Sequence, residues 1–264
     1  MRCAVVGHVE WVESVRVDRV PAAGEIAHGS EDWSEPAGGG AVAAAQLARL
    51  AGTCDFFTAL GEDELGRRAV ARFRELGIQV DVEWFGTTRR AFVQVDANGE
   101  RTITTVGPKL RRRGLPTMDA YDAVFFSGGE VPALRAARSA RFLSATPREL
   151  PWLLEGGVHL DLLVGSGTDP GERYDGGLDV ALVVQTEGIR GGVAGGRRYA
   201  PVAPPAPIVD TYGAGDSFAA ALTFALARGD DLDDALGLAA RAGATVITGK
   251  GPYSGQLELD APVG

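Results

Sequence analysis

Short apolar runs alternate along this chain with stretches whose apolar residues recur at helical spacing. Residues 4–6, 54–59, 122–127 and 180–185 read as buried strands. Between them, residues 41–51 read as a helix and residues 64–76 as an amphipathic helix closed by Gly77. Such βα alternation predicts an α/β fold, with a mainly parallel central sheet and helices on both faces. Two segments break the rhythm. Residues 9–27 and 83–106 carry period-two patterning and predict strands that stand apart from the parallel sheet.

Composition narrows the class. The 264 residues, 45% of them hydrophobic, suffice for one sizeable core, and a single domain over residues 1–264 is expected. A net charge of -9 argues against a nucleic-acid or acidic-membrane partner, because phosphate backbones are bound by an excess of Lys and Arg. Lys109-Leu110-Arg111-Arg112-Arg113 is the basic cluster of the sequence, and it reads as a solvated loop. Cys3 and Cys54 sit in apolar runs without CxxC spacing and read as buried, reduced thiols. His8, His28 and His159 lack metal-ligand spacing and read as structural. With no apolar run of membrane-spanning length and no signal-peptide pattern, a cytoplasmic protein is expected.

The candidate chemistry lies in Asp210-Thr211-Tyr212-Gly213-Ala214-Gly215-Asp216-Ser217-Phe218. The glycines predict a tight turn into a helix, whose Phe218, Leu222, Ala225 and Leu226 share one apolar face. The free N–H groups of such a helix start, those of Gly213, Ala214 and Gly215, attract anions, and a carboxylate stands beside them at Asp216. Anion cradle plus carboxylate is what phosphoryl transfer to a hydroxyl requires. The plainer reading of Asp216 is a helix-capping acid among ordinary turn glycines.

Taken with the residues that follow, this nonapeptide resembles, position by position, the C-terminal signature of the ribokinase-like sugar kinases, the PfkB family. Residues 37–50, opening on Ala37-Gly38-Gly39-Gly40, resemble the family's first signature, a glycine run that starts a helix under the sugar. Residues 58–66 follow in the same style. Residues 91–103 are similar to the family's hairpin before the substrate site, and Thr186-Glu187-Gly188-Ile189-Arg190-Gly191 to its nucleotide loop. The resemblance runs in family order from residue 4 to about residue 253.

The resemblance implies a ribokinase-like fold, with a small β-sheet lid built from segments 9–27 and 83–106 that closes over the sugar and excludes water. It implies ATP-dependent phosphorylation of a hydroxyl on a sugar or sugar-like molecule, with Asp216 as base and Gly213, Ala214 and Gly215 as anion hole. ATP falls to Thr186, Gly188, Gly191, Ser166 and Gly251 and to the helix after Asp231, and the acceptor to Gly38, Gly39 and Gly40 with Glu10 and Glu130. Mg2+ is assigned near Asp169. A monovalent cation, K+, is assigned to main-chain carbonyls around Asp210, Tyr212, Val246, Gly249 and Gly251. A homodimer through the lid is the implied partner, with no nucleic acid and no membrane.

The chain also departs from the family pattern. Ser166 and Asp169 stand where the family has an Asn-x-x-Glu motif, and Asp places its oxygen closer to the backbone than Glu does. Val12 and Val42 replace two polar sugar anchors, so ribose is expected to be a poor substrate. Residues 131–180 are compact for the family, broken by Gly156-Gly157, Pro170-Gly171 and Gly176-Gly177. A nucleoside acceptor is an alternative within the same chemistry, and a catalytically weak ligand-binding or regulatory relative is one from another class. Residues 243–250 resemble a P-loop only superficially, since Gly251 stands where Ser or Thr would hold magnesium.

Overall fold

The computed structural model describes residues 1–30, 32–97 and 99–259. Asn98 of the expected hairpin and residues 260–264 of the expected domain lie outside the described residues. The first part of the chain forms β1 (Cys3–Val6), β2 (Glu10–Arg16), β3 (Asp32–Ala37), α1 (Gly39–Ala51), β4 (Cys54–Leu60), α2 (Glu64–Glu75) and β5 (Ile78–Trp84). It continues through β6 (Arg90–Val95), β7 (Arg101–Val106), β8 (Ala123–Phe126), α3 (Val131–Ala137), β9 (Phe142–Ala145), α4 (Leu150–Gly156) and β10 (Leu160–Ser166). It ends with β11 (Val180–Thr186), β12 (Gly192–Ala194), β13 (Arg197–Tyr199), α5 (Ala214–Arg228) and α6 (Leu232–Val246).

The larger sheet runs β13-β12-β11-β10-β9-β8-β1-β4-β5. It is parallel from β5 to β11 and antiparallel at the β12 and β13 edge. From β1 the chain builds outward through β4 and β5, then returns to lay β8 on the other flank of β1 and continues to β11. The order therefore reverses between β1 and β8, and the crevice beyond the carboxyl ends of such a pair is where open α/β sheets bind ligands. Helices α1, α2, α5 and α6 pack into the hydrophobic core on one face. Helices α3 and α4, seven residues each as the glycine-broken sequence predicts, cover the other. Helix α5 departs from its expected single apolar face: residues 217–225 are all buried, because it lies against α1, α6 and the sheet at once. Among the described residues no helix is long and apolar enough to cross a membrane.

The second sheet, in the order β3-β2-β6-β7, is the separate small sheet that the period-two segments predict. Its composition differs from expectation at three places. Residues 17–27 form no strand, since Pro21 lacks a ladder donor and Gly24 turns the chain at φ 84. The missing strand is β3, which tolerates Pro36 because it is an edge. Residues 83–84 belong to β5, an edge strand of the large sheet whose half-exposed face produces the same period-two pattern. Pairing of Val12 with Ala91 and of Ser14 with Val93 puts the apolar side chains of β2 and β6 on one face. That face packs Val12, Ala91, Val93 and Val95 against Val42 of α1 and Tyr212. The strands thus arrive at the carboxyl end of the large sheet with Glu10 and Arg89 at their roots.

Candidate active site

Two glycine-led helix starts meet at one point. Gly213 caps α5 with φ 83, and a β-carbon there would lie 2.8 Å from Cγ1 of Val42. Gly38 precedes α1 with φ 97 and donates its N–H to the Tyr212 hydroxyl at 3.2 Å. A β-carbon on Gly39 would lie 2.7 Å from Oδ1 of Asp216. Only glycine lets these helices close on one another, and their positive ends converge on the carboxylate. Asp216, half-buried in the first turn of α5, makes no hydrogen bond among the described residues. Burial raises its pKa to about 6, helped by Glu172 and opposed by Arg101, Arg148 and Lys109. A carboxylate so poised can accept a proton near neutral pH. Gly215 beside it is exposed, and a β-carbon there would meet nothing within 4 Å.

Of the residues expected to hold nucleotide, Ser166, Thr186, Gly188 and Gly191 gather at the carboxyl ends of β10 and β11, whereas Gly251 lies after α6 against Trp33 and Asp210. Ser166 pairs with Thr186 across the ladder, and Gly167 donates to the Thr186 carbonyl at 2.8 Å. Gly188 and Gly191, at φ 59 and 79, bound a one-turn loop in which Ile189 is 90% exposed. Nearby, a cavity of about 350 Å³ is lined by Arg197, Arg198, Tyr199, Asp233, Leu236 and Gly237, between β13 and the first turns of α6. Asp231 caps α6 by accepting from the Asp234 N–H at 3.0 Å.

The expected metal residues have more tightly defined partners. Asp169 accepts from Gly171 N–H at 2.7 Å and pairs with Arg148, which also bonds Glu172 at 2.9 Å. Glu172 in turn accepts the Ser166 N–H at 2.7 Å, and it is Glu172 rather than Asp169 that acts on Asp216. Sequence spacing missed Glu172, because the short 3-10 turn Pro170–Glu172 folds it back onto the end of β10. The Asp210 carboxylate is taken up by Trp33 Nε1 at 3.0 Å, Gly251 N–H at 3.2 Å and Tyr212 N–H at 2.9 Å. It ties the segment before α5 to the segment after α6, where Val209 and Asp210 also donate to the Ile247 carbonyl. Among the described residues no group of three or more His, Cys, Asp or Glu side chains is arranged to hold a metal ion.

On the acceptor side, Glu10 lies 3.3 Å from Nε of Arg89, and burial raises its pKa against the pull of Arg89 and Lys109. Glu130 precedes α3 and donates its N–H to the Arg112 carbonyl, while its carboxylate makes no hydrogen bond among the described residues. The basic cluster is not the solvated loop expected. Lys109 and Arg111 turn inward onto Glu149, which has no exposed surface, and a buried carboxylate requires such partners. Arg112 and Arg113 instead pair with Asp81 and Glu83. The turn that leads into β6 of the small sheet is pinned by Thr88, whose N–H and hydroxyl both donate to Asp63 at 2.7 and 2.8 Å. A larger groove, about 500 Å³, lies on the small sheet between Glu13, Trp33, Phe92 and Thr102, and none of the residues that act on Asp216 lines it.

Comparison with known proteins matches residues 2–133 and 178–259 to the family described as pfkB family carbohydrate kinase. Aminoimidazole riboside kinase of Salmonella typhimurium is 28% identical over 84% of this chain and 86% of that protein. A shorter stretch is 42% identical to acarbose 7(IV)-phosphotransferase of Actinoplanes sp., covering 30% of this chain and 29% of that protein. The solved ribokinase of Arabidopsis thaliana, complexed with ribose and ATP, has a TM-score of 0.76 at 23% identity, covering 97% of this chain and 96% of that one. At that identity the likeness shows the fold. The compact segment containing α4, Glu149 and Glu172 falls in the gap of the family match.

Proposed function

The chain belongs to the pfkB family of carbohydrate kinases, and from that premise we propose that it transfers the γ-phosphoryl group of ATP to a hydroxyl of a sugar or sugar-like small molecule at Asp216. The observation that carries this reading is the unpaired Asp216 carboxylate, poised near pH 6 where the starts of α1 and α5 meet. The acceptor hydroxyl gives its proton to Asp216 as its oxygen bonds the γ-phosphorus, and the bond from that phosphorus to the β-phosphate oxygen breaks to leave ADP. The N–H groups at Gly213, Ala214 and Gly215 stabilise the charge on the transferring group.

The acceptor lies along Gly38, Gly39 and Gly40 beside Glu10, with Glu130 at the rim. ATP spans Ser166, Thr186, Gly188 and Gly191 toward the cavity between β13 and α6, with Gly251 on its other side. Solved relatives in complex with ADP or ATP support the nucleotide. Magnesium would be held by the nucleotide phosphates together with Glu172 and Asp169, the carboxylates that Arg148 now bridges, and it would neutralise phosphate charge. Main-chain carbonyls at Asp210 and Tyr212 suit a monovalent cation, and a relative solved with potassium, phosphofructokinase-2 of Escherichia coli, supports that choice. Residues 1–264 act as one catalytic unit in the cytoplasm, with the small sheet as lid and as the contact for a second copy.

The test is ADP release in a coupled assay with ATP and a panel of sugars and nucleosides. Acceptor-dependent ADP is expected, lost in Asp216→Asn. Acceptor binding without ADP release in the wild type would instead favour a ligand-binding relative.

A further inference from the structure

Tyr212 carries a hydroxyl that the transfer reaction does not use. The residue is buried, and its ring is gripped by the small sheet: Trp33 of β3 meets it edge-on at 5.3 Å, the Arg101 guanidinium of β7 lies over it at 5.6 Å, and Val12, Ala91 and Val93 pack with it. An aromatic side chain held in this way carries its polar tip to a fixed place. That place is the start of α1, where the hydroxyl accepts the Gly38 N–H at 3.2 Å. A phenol can also donate one hydrogen. Among the described residues the Tyr212 hydroxyl donates to nothing, although the carboxylates of Glu10 and Asp216 are near enough to act on it. Burial, with those two carboxylates, pushes its pKa above the ordinary tyrosine value, so the group keeps its hydrogen at neutral pH.

This hydroxyl stands where the chain has lost other polar groups. Val12 and Val42 replace two polar sugar anchors, and both belong with Tyr212 to one buried cluster. Contact is direct at the turn, since a β-carbon on Gly213 would lie 2.8 Å from Cγ1 of Val42. The base is close as well: Gly39 follows the Gly38 donor, and a β-carbon on it would lie 2.7 Å from Oδ1 of Asp216. The backbone of Tyr212 is fixed together with its ring. Asp210 accepts the Tyr212 N–H at 2.9 Å and the Trp33 indole N–H at 3.0 Å, so one indole holds the ring by its edge and the main chain through a carboxylate. A donor fixed before binding loses little freedom when a partner arrives.

We propose that Tyr212 determines acceptor specificity: its hydroxyl donates to a second oxygen of the acceptor while the reacting hydroxyl faces Asp216, and it supplies the polar contact that Val12 and Val42 do not make. The class of substrate is a polyhydroxylated molecule with an oxygen at that second position. An acceptor with hydrogen there leaves the buried phenol unpaired and is rejected. This inference rests on the kinase reading above, and it names the residue that selects the substrate of that site.

The experiment measures ADP release with glucose, fructose and adenosine and with the monodeoxy analogues of each, in wild type and in Tyr212→Phe. Calorimetry follows binding of the same compounds without ATP. For the acceptor that is used, loss of one particular hydroxyl should lower wild-type kcat/KM about tenfold. Tyr212→Phe should show the same fall with the parent compound, no further fall with that analogue, and an unchanged KM for ATP. Phenylalanine keeps the ring between Trp33 and Arg101, so Tm should hold. It also leaves the Gly38 N–H unpaired, but that defect falls on every acceptor alike and cannot erase discrimination between parent and analogue. Losses that multiply in Tyr212→Phe, or a rise in KM for ATP alone, overturn the assignment and leave the kinase reading intact. Wild-type enzyme that uses every analogue as well as its parent overturns it without any variant. ADP release with none of the compounds removes them as acceptors, and calorimetry then decides: binding that Tyr212→Phe weakens for a parent but not for one of its analogues retains the assignment, and no binding overturns it.

Discussion

Oδ1 of Asp216 lies 2.7 Å from where a β-carbon on Gly39 would stand, so the first turn of α5 and the first turn of α1 touch through a carboxylate and a missing side chain. Contact this close leaves the acid no room to turn toward α1, and it keeps the carboxylate at the mouth of two helix dipoles. The behaviour of this pair organises most of what can be tested.

Asp216→Asn should lower kcat by at least about a hundredfold, the lower end for a positioned base, with KM for ATP little changed. The fold should not suffer. The native pKa of Asp216 stands above its unfolded value, so the ionised carboxylate costs stability, and that cost develops as pH climbs from the ordinary carboxylate range through about 6. At pH 7.5 the Asn variant should therefore melt at or above the wild-type temperature. Wild-type turnover in this variant would falsify the base assignment.

The pH profile of kcat/KM should rise on its acid side with an apparent pKa of about 6. Arg101, whose guanidinium lies over the Tyr212 ring at 5.6 Å, lowers the Asp216 pKa, so Arg101→Gln should move that rising limb to higher pH. A limb that stays put, or shifts toward acid, means that another group sets it.

Gly213 and Gly215 should separate fold from chemistry. Gly213→Val forces a β-branched residue into φ 83 and against Val42, with a strain of about 1–2 kcal/mol and a fall in Tm of several degrees. Gly215→Val meets open space, so its Tm should hold while phosphoryl transfer falls at least about tenfold and acceptor binding, read by calorimetry, persists. Retained transfer in Gly215→Val would show that the phosphoryl group lies elsewhere.

Val12→Asp combined with Val42→Asn, which would reinstate the polar anchors of related sugar kinases, should destabilise this protein instead of improving ribose turnover. Both valines have no exposed surface and pack with Ala91, Val93, Val95 and Tyr212 beneath the small sheet. Each polar replacement buries a group at a cost of about 1–3 kcal/mol unless the two pair with each other. Chemical denaturation of the single and double variants measures the cost, and faster ribose turnover in a fully folded double variant would contradict this packing argument.

The sequence by itself determined the parallel sheet, the separate small sheet and the two glycine-led helix starts, because period, apolar runs and helix-start glycines are local signals that neighbouring residues carry. It also marked Asp216, since the anion cradle and the acid stand in one continuous stretch. Tertiary structure decided the rest. Glu172 reaches Ser166 through a short turn whose direction no periodicity encodes. Lys109 and Arg111 read as a solvated loop until the fold sets the buried Glu149 before them. Edge strands β3 and β5 blurred the boundaries of the small sheet because one is polar with a proline and the other half-exposed. Whether a charge is solvated or buried depends on which strands become neighbours, and that is settled by long-range pairing rather than by the residues alongside it in the chain.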